Sequence, residues 1–378
     1  MKNALIVYVF IINILFFGCT LHSGQQESVI STSKTISKKD SIISVLKHTA
    51  DWQIKKINTN LNQPPKSINP RISNGHTRAT FLSGLIALYE ITKDKKYLNF
   101  VNNQAVNVNY EIHDCPSQID KYAIGKVYAD LYLLNRDSQI IADMLYELDE
   151  IIDVPKEERT DITHMTSYDT SFTTSLVWVK AFSCTGKKRY LEEMDTLFWS
   201  TYMKLYSSNN HNSAHIKTIN SSQLLRENML WNAENGSIIG GVTDILANMP
   251  SDYSNRPKYE ALFKQIIAEI TEVQRNEGSW LATSPDDPLY ANKKFSSSAF
   301  YCYGIAWGLN HNILDKNIYL PIVLESWNTL SNYVAPEGYI DPMTNSSSVT
   351  NECTEEFNSG AFLLAGKEIA ELLKNDAI

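Results

Sequence analysis

Beyond residue 40, apolar residues recur along the chain with the spacing of one face of an α-helix. Phe81, Leu85 and Leu88 show this period, and Ile43 and Leu46 begin a similar stretch earlier in the chain. Apolar residues three or four positions apart line one side of a helix. Long alternating runs of β-branched residues, which would indicate strands, are scarce. The pattern therefore predicts an all-α protein without an extended sheet.

A short local pattern marks the places where one helix ends and the next begins. Thr92 is followed by a charged run and Tyr97, and Thr185 is followed by a similar run and Tyr190. Each copy lies between two apolar helical stretches, which is typical of a helix end, a polar turn and a tyrosine that packs at the start of the return helix. The copies have no fixed period. We therefore predict successive αα-hairpins, which either stack as a solenoid or close into a ring around a central cleft.

The start of the chain has the composition of a targeting signal. Lys2 precedes an almost continuous apolar segment at residues 4–17, which ends at Gly18 and Cys19. Such a segment is short for a membrane-spanning helix, and a small residue followed by cysteine resembles the cleavage site of a bacterial lipoprotein. We therefore predict a signal peptide at residues 1–18 and a lipidated Cys19, which would hold the protein at a membrane of the cell envelope, in the periplasm or at the cell surface. A plain secretory signal or an uncleaved anchor remains the alternative.

Two segments follow the signal peptide. Residues 19–40 are rich in Ser, Thr, Gln and Lys and have no apolar period, which predicts a flexible tether. Residues 41–378 carry the helical pattern and are predicted to form one folded domain. The content of hydrophobic residues, 43%, is sufficient for a packed core.

Charge and motif content exclude several classes of function. The chain carries 34 Lys and Arg against 42 Asp and Glu, a formal net charge of −8, and it has no basic stripe. A mildly acidic chain of this kind argues against nucleic acid as the main partner. No CxxC or Cys/His spacing indicates a metal site, and no Gly-rich phosphate loop, HExxH or GxSxG motif is present. Aromatic residues, at 11%, suit sugar rings and ordinary cores alike, so they do not decide the function alone.

Four segments between about residues 76 and 370 resemble glycoside hydrolase families 105 and 88, the unsaturated rhamnogalacturonyl and glucuronyl hydrolases. These segments are Ile119-Asp120 with residues 125–132, Tyr168–Phe172, Trp231–Gly236 with residues 240–250, and residues 296–308 with residues 360–366. The last two are specific in combination. The resemblance implies an α/α barrel of six helical hairpins, with residues 41–378 as the catalytic domain.

The resemblance also implies a reaction. In these families an aspartate at the position of Asp169 is the general acid and base, and a second aspartate, which matches Asp120, lies nearby in the pocket. Their substrate carries a terminal uronic acid with a C4=C5 double bond that a polysaccharide lyase has left. The enzyme protonates C4, water adds at C5, and the resulting hemiketal falls apart. The implied partner is therefore an unsaturated oligosaccharide, and no metal or organic cofactor is required.

The residue types suit this chemistry independently of the resemblance. A carboxyl group that donates a proton must be partly neutral at the working pH, and burial among aromatic residues or near a second carboxylate favours the neutral form. Asp169 follows Tyr168 and precedes Phe172, and Asp120 would supply the second charge. An aspartate before a helical run is also a favoured N-cap. A capping role for Asp169, and a cap or surface position for Asp120, therefore stay open.

The resemblance places several further residues in a sugar pocket. His215 lies where the families usually have a pocket histidine, and Trp231 matches a pocket aromatic residue. Asn235 and Gly236 are expected to form the turn that starts the next helix, with their backbone facing the cleft. A solvated loop histidine and a core tryptophan are the alternatives for His215 and Trp231.

The chain departs from the family pattern around this pocket. Ala233 stands where the families often have arginine, and Ser237 and Ser167 stand where they have tryptophan. Arg78 and Lys294 are therefore candidates to replace the missing arginine as the partner of a substrate carboxylate.

Three interpretations follow from the motifs and the departures together. The first is an envelope-anchored hydrolase that removes unsaturated uronic acid from lyase-generated oligosaccharides, in polysaccharide degradation. The second is a catalytically silent sugar-binding surface lipoprotein on the same scaffold. The third is a glycosidase of another α/α-barrel family that acts on intact sugars, which would need two carboxylates on either side of one bond.

Overall fold

The computed structural model describes residues 24–61, 75–112, 118–154, 168–207, 233–272, 274–280, 288–341 and 352–375. Within these ranges the chain forms twelve α-helices, one short 3-10 helix at Ser138–Ile141 and a single antiparallel bridge between Val334 and Ile340, without any longer strand. The helices are α1 Gly24–Leu61, α2 Gly75–Thr92, α3 Lys95–Val106, α4 Gln118–Asn135, α5 Ala142–Asp153, α6 Tyr168–Thr185, α7 Lys188–Ser207, α8 Ala233–Asn248, α9 Arg256–Thr271, α10 Pro288–Asn310, α11 Lys316–Asn332 and α12 Glu352–Asn375.

The even-numbered helices form a closed inner ring. Each of them packs against the next even-numbered helix along the chain, and α12 packs against α2. The odd-numbered helices lie outside: α3, α7, α9 and α11 each pack against the inner helix that precedes them, and α1 packs against α12. The 3-10 helix packs against α4, and α5 packs against the 3-10 helix. This arrangement is an α/α barrel of six helical hairpins, which confirms the predicted fold class and selects the ring over the solenoid.

Glycines allow the first and last inner helices to touch where the ring closes. A Cβ added to Gly360 of α12 would lie 2.4 Å from the carbonyl oxygen of Thr80, and one added to Gly84 of α2 would lie 2.9 Å from the carbonyl oxygen of Gly360. Real Cβ atoms do not approach backbone atoms this closely, because van der Waals contacts begin near 3.5 Å. The two glycines therefore permit the backbone contact that completes the barrel.

The turns between inner and outer helices follow the repeated pattern in the sequence. Thr92 and Thr185 end α2 and α6, and the side chain of Asp94 caps the start of α3. Tyr97 and Tyr190, in the first turn of the return helices, are fully buried. The predicted succession of helix end, polar turn and packed tyrosine is confirmed at both places.

The N-terminal region differs in one respect from the expectation. Helix α1 begins at Gly24, so it extends into residues 19–40, for which the composition predicts a flexible tether. The signal peptide and Cys19 lie outside the described residues, and the domain boundary stays a prediction. In the part of the chain that the structure describes, no helix is both long and apolar enough to cross a membrane.

Candidate active site

The candidate residues on inner helices meet at one end of the ring. Asp120 is the third residue of α4, Asp169 is the second residue of α6, and Asn235 and Gly236 are the third and fourth residues of α8. Neighbouring inner helices contact each other through residues in their first halves, as His76 and Asp120, Arg78 and Glu356, and Gly236 and Ser297 do, so these helices run in the same direction around the ring. We call this the N-terminal end of the ring. The barrel thus brings together residues that are widely separated in the sequence.

Some of the predicted residues lie outside the described parts of the structure. His215 and Trp231 belong to this group, as does Ser167. For Asp169 and Asn235 the structure describes the helical backbone without the side chain. Their roles in the reaction therefore stay predictions, while their positions on the inner ring are established.

Asp120 is held in place by the first residues of α2. Its side chain is almost fully buried, and Oδ1 accepts a hydrogen bond of 2.7 Å from the backbone N–H of His76. The same oxygen lies 2.9 Å from Nδ1 of the His76 ring. A Cβ on Gly75 would lie only 2.3 Å from Cβ of Asp120, so α2 can start against Asp120 only because residue 75 is glycine. A charged Asp120 also suits the first turn of α4, where the helix dipole favours an anion.

His76 is a site residue that the motif comparison does not single out. Its ring contacts Asp120 on one side and the edge of Phe357 on the other, with ring centroids 6.3 Å apart. The only sequence signal is that Asn74-Gly75-His76 interrupts the helical pattern, as functional loops often do. That signal indicates that residues 74–76 could be functional, but it does not identify Asp120 as the partner of His76, because Asp120 is 44 residues away.

Arg78 is not free to replace the missing pocket arginine, which corrects the expectation from the sequence. Its Nε and one terminal nitrogen donate to the two carboxylate oxygens of Glu356 at 2.6 and 2.8 Å, and the other terminal nitrogen donates to Gln104 at 3.1 Å. Glu356 is buried, and a buried carboxylate without its cation is strongly unfavourable. The guanidinium group is therefore committed to the scaffold. The side chain of the other candidate, Lys294, lies outside the described residues.

Gly236 brings the start of α8 directly onto α10. It is buried, and an added Cβ would point at α10, 2.6 Å from Cα of Ser297. Asn235 and Gly236 both belong to the first turn of α8, which begins at Ala233. The glycine is required here by the close approach of two helices.

A family model described as Glycosyl Hydrolase Family 88 matches residues 45–373, which cover almost the whole of the ring. The chain belongs to glycosyl hydrolase family 88. This assignment confirms the predicted family and the general class of function, a glycosidase.

Relatives of this family 88 enzyme support the assignment. A protein of Formosa agariphila described as an unsaturated 3S-rhamnoglycuronyl hydrolase is 26% identical over 319 residues, which cover 78% of this chain and 84% of the relative. A protein of Alteromonas sp. with the same description is 24% identical over 383 residues, which cover 92% of this chain and 88% of the relative. A solved family 88 structure from Bacteroides vulgatus has a TM-score of 0.67 at 19% identity and covers 88% of this chain and 99% of that one. The structural likeness shows the shared fold.

Proposed function

We propose that this family 88 glycosidase removes a terminal 4,5-unsaturated uronic acid from oligosaccharides that polysaccharide lyases have produced. The observation that carries the proposal is the position of Asp120 and Asp169 at the starts of α4 and α6, which pack side by side in the inner ring. The descriptions of the two relatives as unsaturated rhamnoglycuronyl hydrolases agree with it.

In the proposed reaction Asp169 donates its proton to C4 of the unsaturated ring. Positive charge then develops at C5 and on the ring oxygen, and a water molecule adds to C5 while it returns a proton to the Asp169 carboxylate. The resulting hemiketal opens to a ketone at C5 and a hemiacetal at C1, and the hemiacetal releases the remaining sugar. Asp120, fixed by two contacts with His76, supplies a negative charge next to the acid. A like charge nearby favours the protonated form of a carboxyl group, which the first step requires.

The test is the loss of the ultraviolet absorbance of the double bond on a panel of lyase-cut oligosaccharides. We expect Asp169→Asn to lower turnover by about 10²–10⁴-fold, the usual contribution of a general acid–base group, without loss of folding in thermal melts. Asp120→Asn should lose less and shift the pH profile. Because Ala233 and Ser237 are small, we expect bulkier or differently substituted substrates to be preferred over the unsaturated rhamnogalacturonan disaccharide.

A matched control separates catalysis from helix capping. Asp315 is an N-cap aspartate of α11, whose side chain accepts a hydrogen bond of 2.8 Å from the backbone N–H of Asn317. If Asp169 were only a cap, Asp169→Asn and Asp315→Asn would both leave turnover nearly unchanged. That outcome would remove the proposed mechanism.

The altered residues Ala233 and Ser237 favour a second candidate, a catalytically silent sugar-binding protein on the same barrel. It predicts that the wild-type protein binds oligosaccharides but leaves the absorbance of every unsaturated substrate in the panel unchanged. If the wild-type protein turned over any substrate of the panel and Asp169→Asn abolished that turnover, this second candidate would be excluded.

We also propose that the protein is attached to the bacterial cell envelope by a lipid on Cys19. The support is the apolar segment at residues 4–17, which is followed by Gly18 and Cys19. A lipid anchor would keep the enzyme at a membrane surface, in the periplasm or on the cell exterior.

A further inference from the structure

A cavity lies at the end of the ring opposite to the candidate active site. Its volume is about 250 Å³, and residues from all six inner helices line it. The lining uses the later turns of these helices, for example Glu90 near the end of α2 and Asn248 at the end of α8. Glu90 and His311 are exposed to solvent, so the cavity is open at this end.

A network of charged side chains crosses the axis of the ring and forms part of the cavity wall. Nζ of Lys126 lies 3.2 Å from Asp244 and 3.7 Å from Asp130, and it donates to the Ser83 hydroxyl at 3.3 Å. Nζ of Lys180 lies 2.5 Å from Asp130. The network therefore connects α2, α4, α6 and α8 through groups that all face the same space.

These groups are charged and neutralise one another. Burial alone would lower the pKa of Lys126, but Asp244 and Asp130 raise it above its usual value. Burial alone would raise the pKa of Asp130, but Lys180 and Lys126 lower it. Each ionised group is thus stabilised by its oppositely charged neighbours, and a charged ligand would have to disturb these ion pairs.

The network continues on α12 in the same balanced way. Lys367 pairs with Glu368 at 2.8 Å and with Glu371, which is not part of the lining, at 3.0 Å. Within the lining, Lys126, Lys180 and Lys367 thus stand against the carboxylates of Asp130, Asp244 and Glu368. Glu90 is a fourth carboxyl group, at the mouth, and desolvation by the surrounding walls raises its pKa. The cavity therefore offers many hydrogen-bond donors and acceptors but little net charge.

An aromatic surface completes the lining on α10. The rings of Trp307 and His311 are stacked with centroids 4.4 Å apart, and His311 is exposed at the mouth. The hydroxyl of Tyr303 donates to Asp244 at 2.7 Å and links this side to the network. Trp307 is itself buried, so the ring face that the cavity offers is that of His311. A ring face beside convergent polar groups is typical of sites that orient a small polar ligand.

We propose that this cavity, with its Lys126–Asp130–Asp244 network and the stacked Trp307 and His311, binds one neutral sugar ring. The hydroxyl groups of a sugar donate to carboxylates and accept from ammonium groups, while its C–H face suits an aromatic ring. The cavity is smaller than the roughly 300–1,000 Å³ of pockets for drug-sized ligands, so it admits one ring and not a longer chain. The proposal does not depend on the reaction at the N-terminal end.

The test measures binding of single sugars to the full chain by saturation-transfer NMR and titration calorimetry. The probes are glucose, galactose, rhamnose and xylose, with galacturonic acid and glucosamine as charged counterparts. We expect at least one neutral sugar to bind with a dissociation constant on the order of millimolar, which suits a ligand with so few atoms. We expect the charged sugars to bind at least several-fold more weakly.

Filling the cavity from its mouth provides the decisive variant. Ala247 lines the cavity and is exposed, so Ala247→Phe places a ring in the cavity without disturbing the buried network. The matched control is Ala261→Phe, because Ala261 is also an exposed helical alanine but lies on the outer helix α9. Ala247→Phe should weaken sugar binding at least 10-fold, and Ala261→Phe should leave it unchanged. Both variants should keep wild-type melts and wild-type hydrolysis at the other end.

Three results would overturn the proposal. The first is that no neutral sugar binds the wild-type chain, which would make the cavity a solvent-filled part of the scaffold. The second is that Ala247→Phe binds as the wild type does, which would place the bound sugar at the active site. The third is that a charged sugar binds more tightly than its neutral counterpart.

Discussion

The contact between α8 and α10 makes an unusual prediction for Gly236→Ala. In an unobstructed helix this change stabilises a protein by about 0.5–1 kcal/mol, because glycine loses more conformational freedom on folding. Here the new Cβ would lie 2.6 Å from Cα of Ser297 and 3.3 Å from its carbonyl oxygen. The first distance is about 1 Å inside normal carbon–carbon contact, and the obstacle is backbone. Overpacking of this kind costs about 1–3 kcal/mol, so we expect the free energy of unfolding to fall by about 1 kcal/mol.

The same displacement should reach the active site. Gly236 lies in the first turn of α8, so moving α8 away from α10 shifts the start of that helix relative to the rest of the ring. A misplacement of about 1 Å can lower the rate of a positioned reaction by up to about 10²-fold. We therefore expect kcat/KM for an unsaturated oligosaccharide to fall by about 10- to 100-fold, well beyond the change in the folded fraction.

Urea unfolding followed by circular dichroism, together with turnover, measures both effects. The control is Gly125→Ala on α4, where the new Cβ would meet only side-chain atoms of Val177 and Met144, at 3.0 and 3.2 Å. These side chains can adjust, so the free energy of unfolding of this variant should lie within about 0.5 kcal/mol of the wild-type value or above it. If Gly236→Ala matched Gly125→Ala in stability and kept wild-type turnover, the close helix contact at the active-site end would be refuted.

Two further predictions concern the scaffold and the anchor. Arg78→Met removes the cation that neutralises buried Glu356 and should lower the free energy of unfolding by about 3–5 kcal/mol. The control is Lys96→Met, which removes an ion pair with Asp51 in which both side chains are 48% exposed. This variant should lower the free energy of unfolding by only about 0.2–1 kcal/mol. Equal urea midpoints for the two variants would contradict this account. Cys19→Ala should abolish fatty-acid labelling and partition into detergent, and persistent labelling of that variant would rule out the proposed lipid site.

Much of the fold could be predicted from the sequence because its signals are local. A helical period such as that of Phe81, Leu85 and Leu88 depends only on neighbouring turns of one helix. The same holds for the turn pattern that ends at Tyr97 and Tyr190, whose buried positions follow from the hairpin. The motif resemblance added the family, and the alternation of inner and outer helices then places Asp120 and Asp169 at the same end of the ring.

The candidate site was only partly predictable. Gly236 lies in the first turn of α8, but its packing partner Ser297 could not be predicted, because nothing near Gly236 in the sequence indicates which helix lies beside it. Arg78 illustrates the opposite error. A lone arginine at the start of a helix has the sequence features of an available cation, and only its buried partner shows that it is committed.

By itself, the sequence determined the helices, the polar turns and the family, since these depend on residues close together in the chain. The tertiary structure decided the closure of the ring through Gly84 and Gly360, and the pairing of Arg78 with Glu356 across 278 residues. It also gathered lysines and carboxylates from different inner helices around one cavity. In the sequence of a single helix such residues have the pattern of a solvated face, and only the closed ring shows that they face its interior. In these low-dielectric surroundings each ionised group is stabilised by its oppositely charged neighbours.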